Sequence, residues 1–186
     1  APTIMRDDAS RRGLAQAVMR GVNTARDLQN DPSNVATAMK LAQTARRVAT
    51  RGRLRCQIFD NARMKKLGMG GVLGVNQGSA DPARFIVLDY KPRGRKNVPT
   101  LVIVGKGVTF DTGGVCLKPA GGMETMKQDM SGAANVIGIM EAISQLKPTA
   151  RVIGLAPATD NMNSGSAIKP GDILTIYGGK TVEVIN

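Results

Sequence analysis

The chain has 186 residues, of which 42% are apolar and 22% charged; these proportions are typical of one globular domain and exclude a disordered chain. No apolar run approaches the roughly 18 residues that span a bilayer, and histidine is absent, which excludes Ser-His-Asp and Cys-His nucleophiles and His-ligated zinc. The net charge of +12 lies in the first half, because residues 1–98 contain 19 Lys+Arg and 7 Asp+Glu whereas residues 99–186 contain 7 of each.

Two helices are predicted in the basic half. The first runs from Arg11 to Arg26, where Leu14, Val18 and Val22, with Ala15, Ala17 and Ala25 around them, fit an amphipathic helix. The second runs from Val35 to Thr50 after a break at Asn30–Ser33. Its apolar positions fall on one face, at Ala38, Leu41, Ala42 and Ala45.

Short apolar stretches with β character follow the helices. They are Leu54–Phe59, Val72–Val75, Phe85–Tyr90 and Leu101–Val104, with a short helix predicted at Ala62–Leu67. The stretch Leu101–Val104 is uniformly apolar, as a strand buried on both faces should be, and we expect it to be the central strand. The basic turn just before it, Lys91–Asn97, is predicted to be an exposed loop rather than a site.

The second half alternates strand, loop and helix. Residues Gly105–Gly122 contain six glycines and Pro119, which are too many breakers for a regular element and predict a loop. The elements predicted after it are a helix at Met126–Leu146, a buried strand at Val152–Ala158, a loop at Asn161–Gly171 and a hairpin of Ile173–Tyr177 with Thr181–Ile185. This order predicts a right-handed βαβ crossover and an α/β fold with a mixed, largely parallel sheet flanked by helices.

The glycine-rich loop is the candidate site, because ligands of open α/β sheets bind beyond the carboxyl ends of strands. Its polar residues, together with the start of the next helix, are Lys106, Asp111, Lys118 and Asp129. Two isolated aspartates are most often helix caps, loop formers or ion-pair partners of lysines. The order of the whole segment is what favours a functional role.

Three sequence blocks carry a family resemblance. They are residues 104–114 (VGKGVTFDTGG), 118–119 (KP) and 122–134 (GMETMKQDMSGAA). Together they closely resemble the leucyl (cytosol) aminopeptidase family, whose enzymes use two metal ions. The resemblance continues through nearly the whole chain, at Asn23–Asp27, Asn30–Pro32, Asn161-Met162, Lys169–Asp172 and residues 179–186 (GKTVEVIN).

The resemblance implies specific roles for the site residues. Lys106, Asp111 and Asp129 are expected to be metal ligands, with Asp111 bridging two divalent ions, and Lys118 to be the catalytic lysine that binds substrate and polarises the scissile carbonyl. Met126 is expected to line the first side-chain pocket, although methionine on a helix is usually core, and Asn186 is assigned to substrate binding. Lysine ligates only when neutral, which an adjacent dication favours.

The resemblance also implies the cofactor and the substrate. Two divalent ions can activate a bridging water and stabilise an oxyanion, and oxygen ligands suit zinc, manganese or magnesium. The substrate would be a peptide with a free N-terminus, with a leucine-type preference, and the enzyme would be a homo-oligomer, a hexamer by resemblance.

The chain departs from the family pattern after Asn186. There the family continues Thr-Asp-Ala-Glu-Gly-Arg, which supplies two further carboxylate ligands and an arginine. Residues 1–34 are therefore expected to be a linking helix and entry segment, and residues 35–186 the N-terminal half of an incomplete catalytic domain. Ala1 is expected to be an internal boundary. This polypeptide alone is expected to bind metal poorly.

Two functions remain open from the sequence. One is the metalloaminopeptidase; the other is a catalytically inactive relative that acts as a structural or nucleic-acid-binding subunit through its basic first half. The basic residues are scattered without interleaved aromatic residues, which favours a solvated face balanced by acidic segments elsewhere. A dinucleotide fingerprint is excluded because Gly68-Met-Gly70 would require glycine where Leu73 stands.

The cysteine content indicates the compartment. Cys56 and Cys116 are too few for a disulfide framework or a thiolate metal site, which favours a reducing, intracellular setting. The cytoplasm, a mitochondrion and a plastid all fit this expectation, and no membrane association is expected.

Overall fold

A computed structural model describes residues 2–95 and 97–186, with side chains from residue 10 onward. Ala1 lies outside the described residues, as does part of the predicted basic turn. The helices are α1 Pro2–Asn30, α2 Ala38–Gly52, α3 Asn61–Lys66, α4 Gly70–Asn76, α5 Ala120–Met123 and α6 Ser131–Leu146, with a 3-10 turn at Met126–Gln128. The strands are β1 Arg55–Phe59, β2 Arg84–Tyr90, β3 Thr100–Val104, β4 Gly107–Asp111, β5 Arg151–Asn161, β6 Ile173–Thr175 and β7 Thr181–Glu183.

The main sheet has β5 at its centre. The strand order is β1-β2-β5-β3, and β4 also pairs with β5. β1 and β2 run antiparallel to each other, as do β2 and β5, whereas β3 and β4 run parallel to β5. Val104 pairs with Leu155 and Gly107 with Ala158, so β3 and β4 occupy consecutive stretches of one edge of β5. The expected α/β class with a mixed sheet flanked by helices is confirmed.

The prediction that Leu101–Val104 is the central strand is wrong. In the described part of the chain this segment is the edge strand β3, and its side chains are exposed, Leu101 by 57%, Val102 by 49% and Val104 by 68%. An apolar run indicates that a strand is suited to burial, but not which element covers it. The central position belongs to β5, whose alternate residues are buried.

Two further predictions fail at glycines. The predicted loop Gly105–Gly122 contains strand β4, because a side chain at Gly107 would lie 2.4 Å from the Pro157 carbonyl oxygen and glycine alone permits that approach. The strand predicted at Val72–Val75 is part of helix α4. A Cβ at Gly70 of α4 would lie 2.1 Å from the Thr175 carbonyl oxygen of β6, so this helix packs directly on a strand backbone.

Helix α1 is confirmed, but the large apolar side chains of the predicted pattern are exposed. Leu14, Val18 and Val22 are exposed by 49%, 47% and 39%. Among the α1 residues whose side chains are described, Ala17, Gly21 and Leu28 are buried, and of these Ala17 belongs to the predicted pattern. α1 packs on α6 through small residues, because Gly21 and Gly138 bring the two backbones together.

The core lies between α2, α6 and the sheet. The predicted face of α2 is buried at Ala38, Leu41, Ala42 and Ala45, and the helix begins at Thr37, whose Oγ1 accepts a hydrogen bond from Lys40 N. Against this face lie the large buried side chains Ile86, Leu88, Met130, Ile137 and Met140. α6 connects the parallel strands of the expected βαβ unit, and β6 and β7 form the expected hairpin.

No helix in residues 2–95 and 97–186 has both the length and the apolar character that a membrane span requires.

Candidate metal centre

The carboxyl ends of β4 and β5 meet at the candidate site. Asp111 is the last residue of β4 and pairs with Asn161, the last residue of β5. The Asp111 Oδ1 atom accepts two hydrogen bonds, from Gly113 N at 2.9 Å and from Asn161 Nδ2 at 2.8 Å. The backbone and one amide side chain therefore hold this carboxylate in a defined orientation.

The loop after β4 returns Lys118 to Asp111. Lys118 N donates to the Thr112 carbonyl oxygen at 2.9 Å, and Lys118 Nζ lies 3.1 Å from Asp111 Oδ2. The return requires glycine at position 113, where φ is +87° and a Cβ would lie 2.4 Å from the Cys116 carbonyl oxygen. The side chains of Lys118 and Asp111 are 32% and 15% exposed, so the pair is only partly screened by solvent.

The environment keeps Asp111 ionised. Burial acts to raise the pKa of Asp111, but the hydrogen bonds from Gly113 and Asn161 and the hydrogen bond and charge of Lys118 outweigh it. The pKa therefore lies below its ordinary value. At neutral pH Asp111 is a carboxylate with acceptor capacity on Oδ2.

A second lysine-aspartate pair lies at the break between β3 and β4. The Lys106 carbonyl oxygen accepts a hydrogen bond from Ala133 N at 2.8 Å, so the first turn of α6 docks on this break. The close approach requires Gly132, because a Cβ there would lie 2.7 Å from Lys106 N. Lys106 Nζ lies 2.6 Å from Asp129 Oδ2.

The donor atoms fit part of a divalent metal site. Asp129 Oδ2 is buried, and its contact with Lys106 Nζ is an ion pair that lacks the geometry of a hydrogen bond. Carboxylate oxygens are the ligands that hard dications prefer. The 3-10 turn before Asp129 packs on β4, which brings Asp129 and Asp111 into one region.

The same residues do not complete a site. In the part of the chain that is described, no group of three or more histidine, cysteine, aspartate and glutamate residues converges. The two carboxylates are matched one to one by the Nζ atoms of Lys106 and Lys118. Two dications would need more negatively charged ligands than the carboxylates of Asp111 and Asp129.

Four of the six predicted site residues come together as two pairs, and the other two differ. Met126 is half-buried in the 3-10 turn, three residues before Asp129, and is not on the α-helix that the sequence predicts there. Asn186 is exposed beyond β7, and no hydrogen bond or ion pair within the described residues joins it to the cluster.

Sequence reasoning gave no role to Asn161. Its Nδ2 atom orients Asp111, and Thr112 donates from its hydroxyl to the Asn161 carbonyl oxygen at 2.8 Å. The signal was its position, because it ends a buried strand that runs parallel to the strand ending at Asp111. Residues at the carboxyl ends of neighbouring parallel strands meet at one edge of the sheet.

Comparison with known families decides the class of the chain. The model of the cytosol aminopeptidase family, catalytic domain, matches residues 23–186. The chain belongs to the cytosol aminopeptidase family. The matched residues include all four that form the two lysine-aspartate pairs, Lys106, Asp111, Lys118 and Asp129.

Two relatives are named "Probable cytosol aminopeptidase". The protein from Chlorobaculum tepidum is 50% identical over 181 residues, covering 96% of this chain and 36% of the relative. The protein from Chlorobium limicola is 53% identical over 176 residues, covering 94% of this chain and 35% of the relative. This cytosol aminopeptidase family chain thus spans about a third of the length of these relatives.

A solved structure has the same fold. It is titled "Bottromycin maturation enzyme BotP in complex with Mn", is 38% identical and superposes with a TM-score of 0.81. The match covers 92% of this chain and 36% of the solved chain. The fold of this member of the cytosol aminopeptidase family is therefore that of one portion of the larger enzyme.

Proposed function

We propose that this chain contributes part of the active site of a metal-dependent aminopeptidase, which releases N-terminal amino acids from peptides. The observation that carries the proposal is the cluster at the carboxyl ends of β4 and β5, where two aspartates are paired with two lysines. Family membership supports hydrolysis of peptides from the amino end. The two relatives are about three times as long as this chain.

Lys106, Asp111 and Asp129 would hold two divalent ions. The burial of Asp129 Oδ2 and the orientation of Asp111 support this assignment. Manganese is the first candidate because the solved relative is titled as a complex with Mn, and zinc and magnesium accept the same ligands. The chemistry that such ions supply is activation of a water molecule for attack on a carbonyl carbon.

Lys118 would provide fixed positive charge for the carbonyl oxygen of the scissile bond. Its Nζ atom is held 3.1 Å from Asp111 Oδ2 by a loop closed through its own backbone N–H. A preorganised cation in a partly dry site stabilises developing negative charge more than a solvated one does. Asn161 and Gly113 donate to Oδ1 of Asp111, whereas Oδ2 faces Lys118 Nζ.

The substrate would be a peptide with a free amino terminus and a leucine-type first residue. Met126, half-buried beside Asp129, would supply apolar surface for the first side chain, and Asn186 a polar contact. The enzyme would act as a homo-oligomer, with the hexamer implied by the family resemblance. A cytoplasmic location follows from relatives whose name places them in the cytosol.

The division into residues 1–34 and 35–186 is part of the same proposal. The inactive structural or nucleic-acid-binding alternative is not favoured, because both carboxylates and both lysines of the cluster are present and their geometry is intact. No observation supports a mitochondrial or plastid location.

The test is hydrolysis of leucine p-nitroanilide by the full-length protein, before and after chelation and with manganese or zinc restored. We expect activity to depend on metal. Asp129→Asn should lower metal content and lower activity by about 100-fold or more, because it removes a ligand. Lys118→Gln should lower kcat by about 100-fold with metal content unchanged, because it removes only the charge on the carbonyl oxygen.

Matched substitutions control for charge and folding. Asp81→Asn and Lys169→Gln remove the same charges at exposed positions outside the cluster, and both should retain full activity. Hydrolysis that survives metal removal, or unchanged metal content and activity in Asp129→Asn, would contradict the proposed function.

A further inference from the structure

A basic groove of about 630 Å³ lies where β2 ends and β5 begins. Its walls are the end of α2, the segment after β2 and the end of α6. The cationic side chains that line it are Arg51, Arg53, Lys91, Arg93, Arg95 and Lys147. We call the groove lined by these six residues the basic groove.

The basic groove is separate from the metal centre. Tyr90, in its wall, pairs with Val152 near the start of β5, whereas Asp111 pairs with Asn161 at the end of β5. Nine residues of extended strand between Val152 and Asn161 correspond to about 30 Å. The aminopeptidase chemistry therefore makes no use of this groove.

No carboxylate offsets the charge inside the basic groove. Among the described residues that line it there is no aspartate or glutamate. Asp89, close to Lys91 in sequence, is already bound to Arg151 through hydrogen bonds of 2.9 and 2.7 Å. Arg51 also lines the adjoining hollow beside Asp27 and Glu141, and setting it aside still leaves five cations.

Helix capping does not account for these cations. α2 and α6 both end at the groove, and each helix C-terminus carries about half a negative charge, so the two ends offset about one of the five. Arg53 and Lys147 adopt left-handed backbone, with φ of 55° and 49°, at the position where helices commonly end in glycine. Glycine would satisfy both caps without steric cost, so the caps alone do not require a cation.

We propose that the basic groove binds a small anion carrying several phosphates, of the size of tripolyphosphate or a nucleoside triphosphate. Its volume lies in the range of small-molecule sites, roughly 300 to 1,000 Å³. Arginine forks match phosphate oxygens and keep their charge at every physiological pH. Nucleic acid fits less well, because the one aromatic residue of the described lining, Tyr90, donates its hydroxyl to the Pro148 carbonyl oxygen and no stacking platform is formed.

The test is calorimetric titration of the metal-loaded full-length protein with inorganic tripolyphosphate and, separately, with adenosine triphosphate. The groove variant is Lys91→Gln with Lys147→Asn, because asparagine tolerates the left-handed backbone at position 147. The control variant is Lys65→Gln with Lys66→Gln, two exposed lysines in the last turn of α3. Both variants lose two positive charges, so they separate the groove from the net charge.

We expect tripolyphosphate to bind the unchanged protein, with about tenfold loss or more in the groove variant and less than about twofold change in the control. Equal binding of both probes would show that the groove recognises the phosphates alone. Tighter binding of the nucleotide would show that the groove also contacts the base or sugar. Both variants should keep their peptidase activity and thermal stability, since neither touches the metal centre.

Three results would overturn the assignment. They are no binding to the unchanged protein, equal loss in both variants, and binding that survives in the groove variant, which would indicate chelation of the site metal. A 20-nucleotide single strand provides the last arm. If it binds about 100-fold more tightly than tripolyphosphate through Lys91 and Lys147, nucleic acid replaces the small anion as the partner.

Discussion

The two carboxylate oxygens of Asp111 have different partners in the candidate site. Oδ1 accepts from Gly113 N and Asn161 Nδ2, which fixes the plane of the carboxylate, and Oδ2 faces Lys118 Nζ. A carboxylate oriented by the backbone needs little reorganisation when a cation or substrate arrives. Asn161 is therefore a positioning residue for whatever Asp111 binds, and it acts through the register that joins the ends of β4 and β5.

Asp89 makes the stability of the chain depend on pH. The pKa of Asp89 lies below its ordinary value because the Arg151 side chain donates hydrogen bonds to it, which outweighs the opposing effect of burial. A lowered pKa in the folded state means that the folded protein releases this proton more readily than the unfolded chain does. The stabilisation is therefore complete above the unfolded pKa of about 3.9 and is lost as pH falls through the lower, folded pKa.

Replacing Asp89 exposes this contribution. We expect Asp89→Asn to lower the thermal midpoint by a few degrees at pH 7, because it leaves the bidentate partner Arg151 without its carboxylate. The difference from the unchanged protein should shrink as pH falls below about 4. Thermal unfolding followed by circular dichroism between pH 2.5 and 7 measures it. Asp81→Asn is the control, since the backbone of Asp81 makes its hydrogen bonds, and a pH-independent difference for Asp89→Asn would refute the assignment.

At the scale of elements, α1 and α6 pack through backbone rather than through large side chains. A Cβ at Gly21 would lie 2.3 Å from the Gly138 carbonyl oxygen, and a Cβ at Gly138 would lie 2.3 Å from the Gly21 carbonyl oxygen. Rigid backbone atoms cannot rotate away as a flexible side chain can. The two helices are therefore held at a distance that only glycine permits at both positions.

Gly21→Ala and Gly13→Ala form a matched pair on α1. Alanine favours a helix interior over glycine by about 1 kcal/mol, so at Gly13, where nothing lies within 4 Å of the added carbon, the substitution should stabilise the protein by roughly 0.5 to 1 kcal/mol. At Gly21 the overlap should dominate and lower the free energy of unfolding by about 1 to 3 kcal/mol. Urea unfolding of both variants measures the change in the free energy of unfolding. If Gly21→Ala stabilised the protein, the two helices would be able to move apart freely.

The sequence predicted a helix or strand well where its apolar residues repeat with the period of that element and are buried in the fold. The α2 face was found because its small and apolar residues repeat with the helical period and are buried between α6 and the sheet. The buried face of α1 was predicted only in part, because Ala17, Gly21 and Leu28 form it whereas Leu14 and Val18 are exposed. Close approach of backbones also hid β4 and α4, since glycine in a sequence indicates a turn as readily as a tight contact.

The location of the candidate site was predictable from the sequence, but the pairing of its residues was not. Lys106, Asp111, Lys118 and Asp129 follow a strand or open a helix, so topology alone brings them to the carboxyl edge of the sheet. Their pairing, Lys106 with Asp129 and Lys118 with Asp111, depends on the loop closed at Gly113 and on the docking of α6 at Gly132. Such long-range closures have no local signal in the sequence. The basic groove was missed because its cations come from three separate segments.

At the scale of the whole molecule, the sheet separates two charged regions, and β1 and β3 are edge strands in the described residues. The candidate metal centre lies at one end of β5 and the basic groove at the other. Along the side, β3 pairs with β5 through one edge, while its second edge is unpaired in the described residues and its apolar side chains are exposed. An apolar edge strand with free backbone donors and acceptors is a template for pairing with another chain.

The 186-residue chain expressed by itself should therefore associate through β3. We expect oligomers at micromolar concentration by sedimentation velocity, and Val102→Lys with Val104→Lys should shift the population to monomer, because charge on an edge strand opposes pairing. Val18→Lys with Val22→Lys is the matched control, since it places the same two changes on the exposed stripe of α1, where the residues are 47% and 39% exposed. If the α1 variant rather than the β3 variant gives monomer, the helix stripe is the associating surface. A chain that is monomeric without any substitution would show that the free edge of β3 does not drive association.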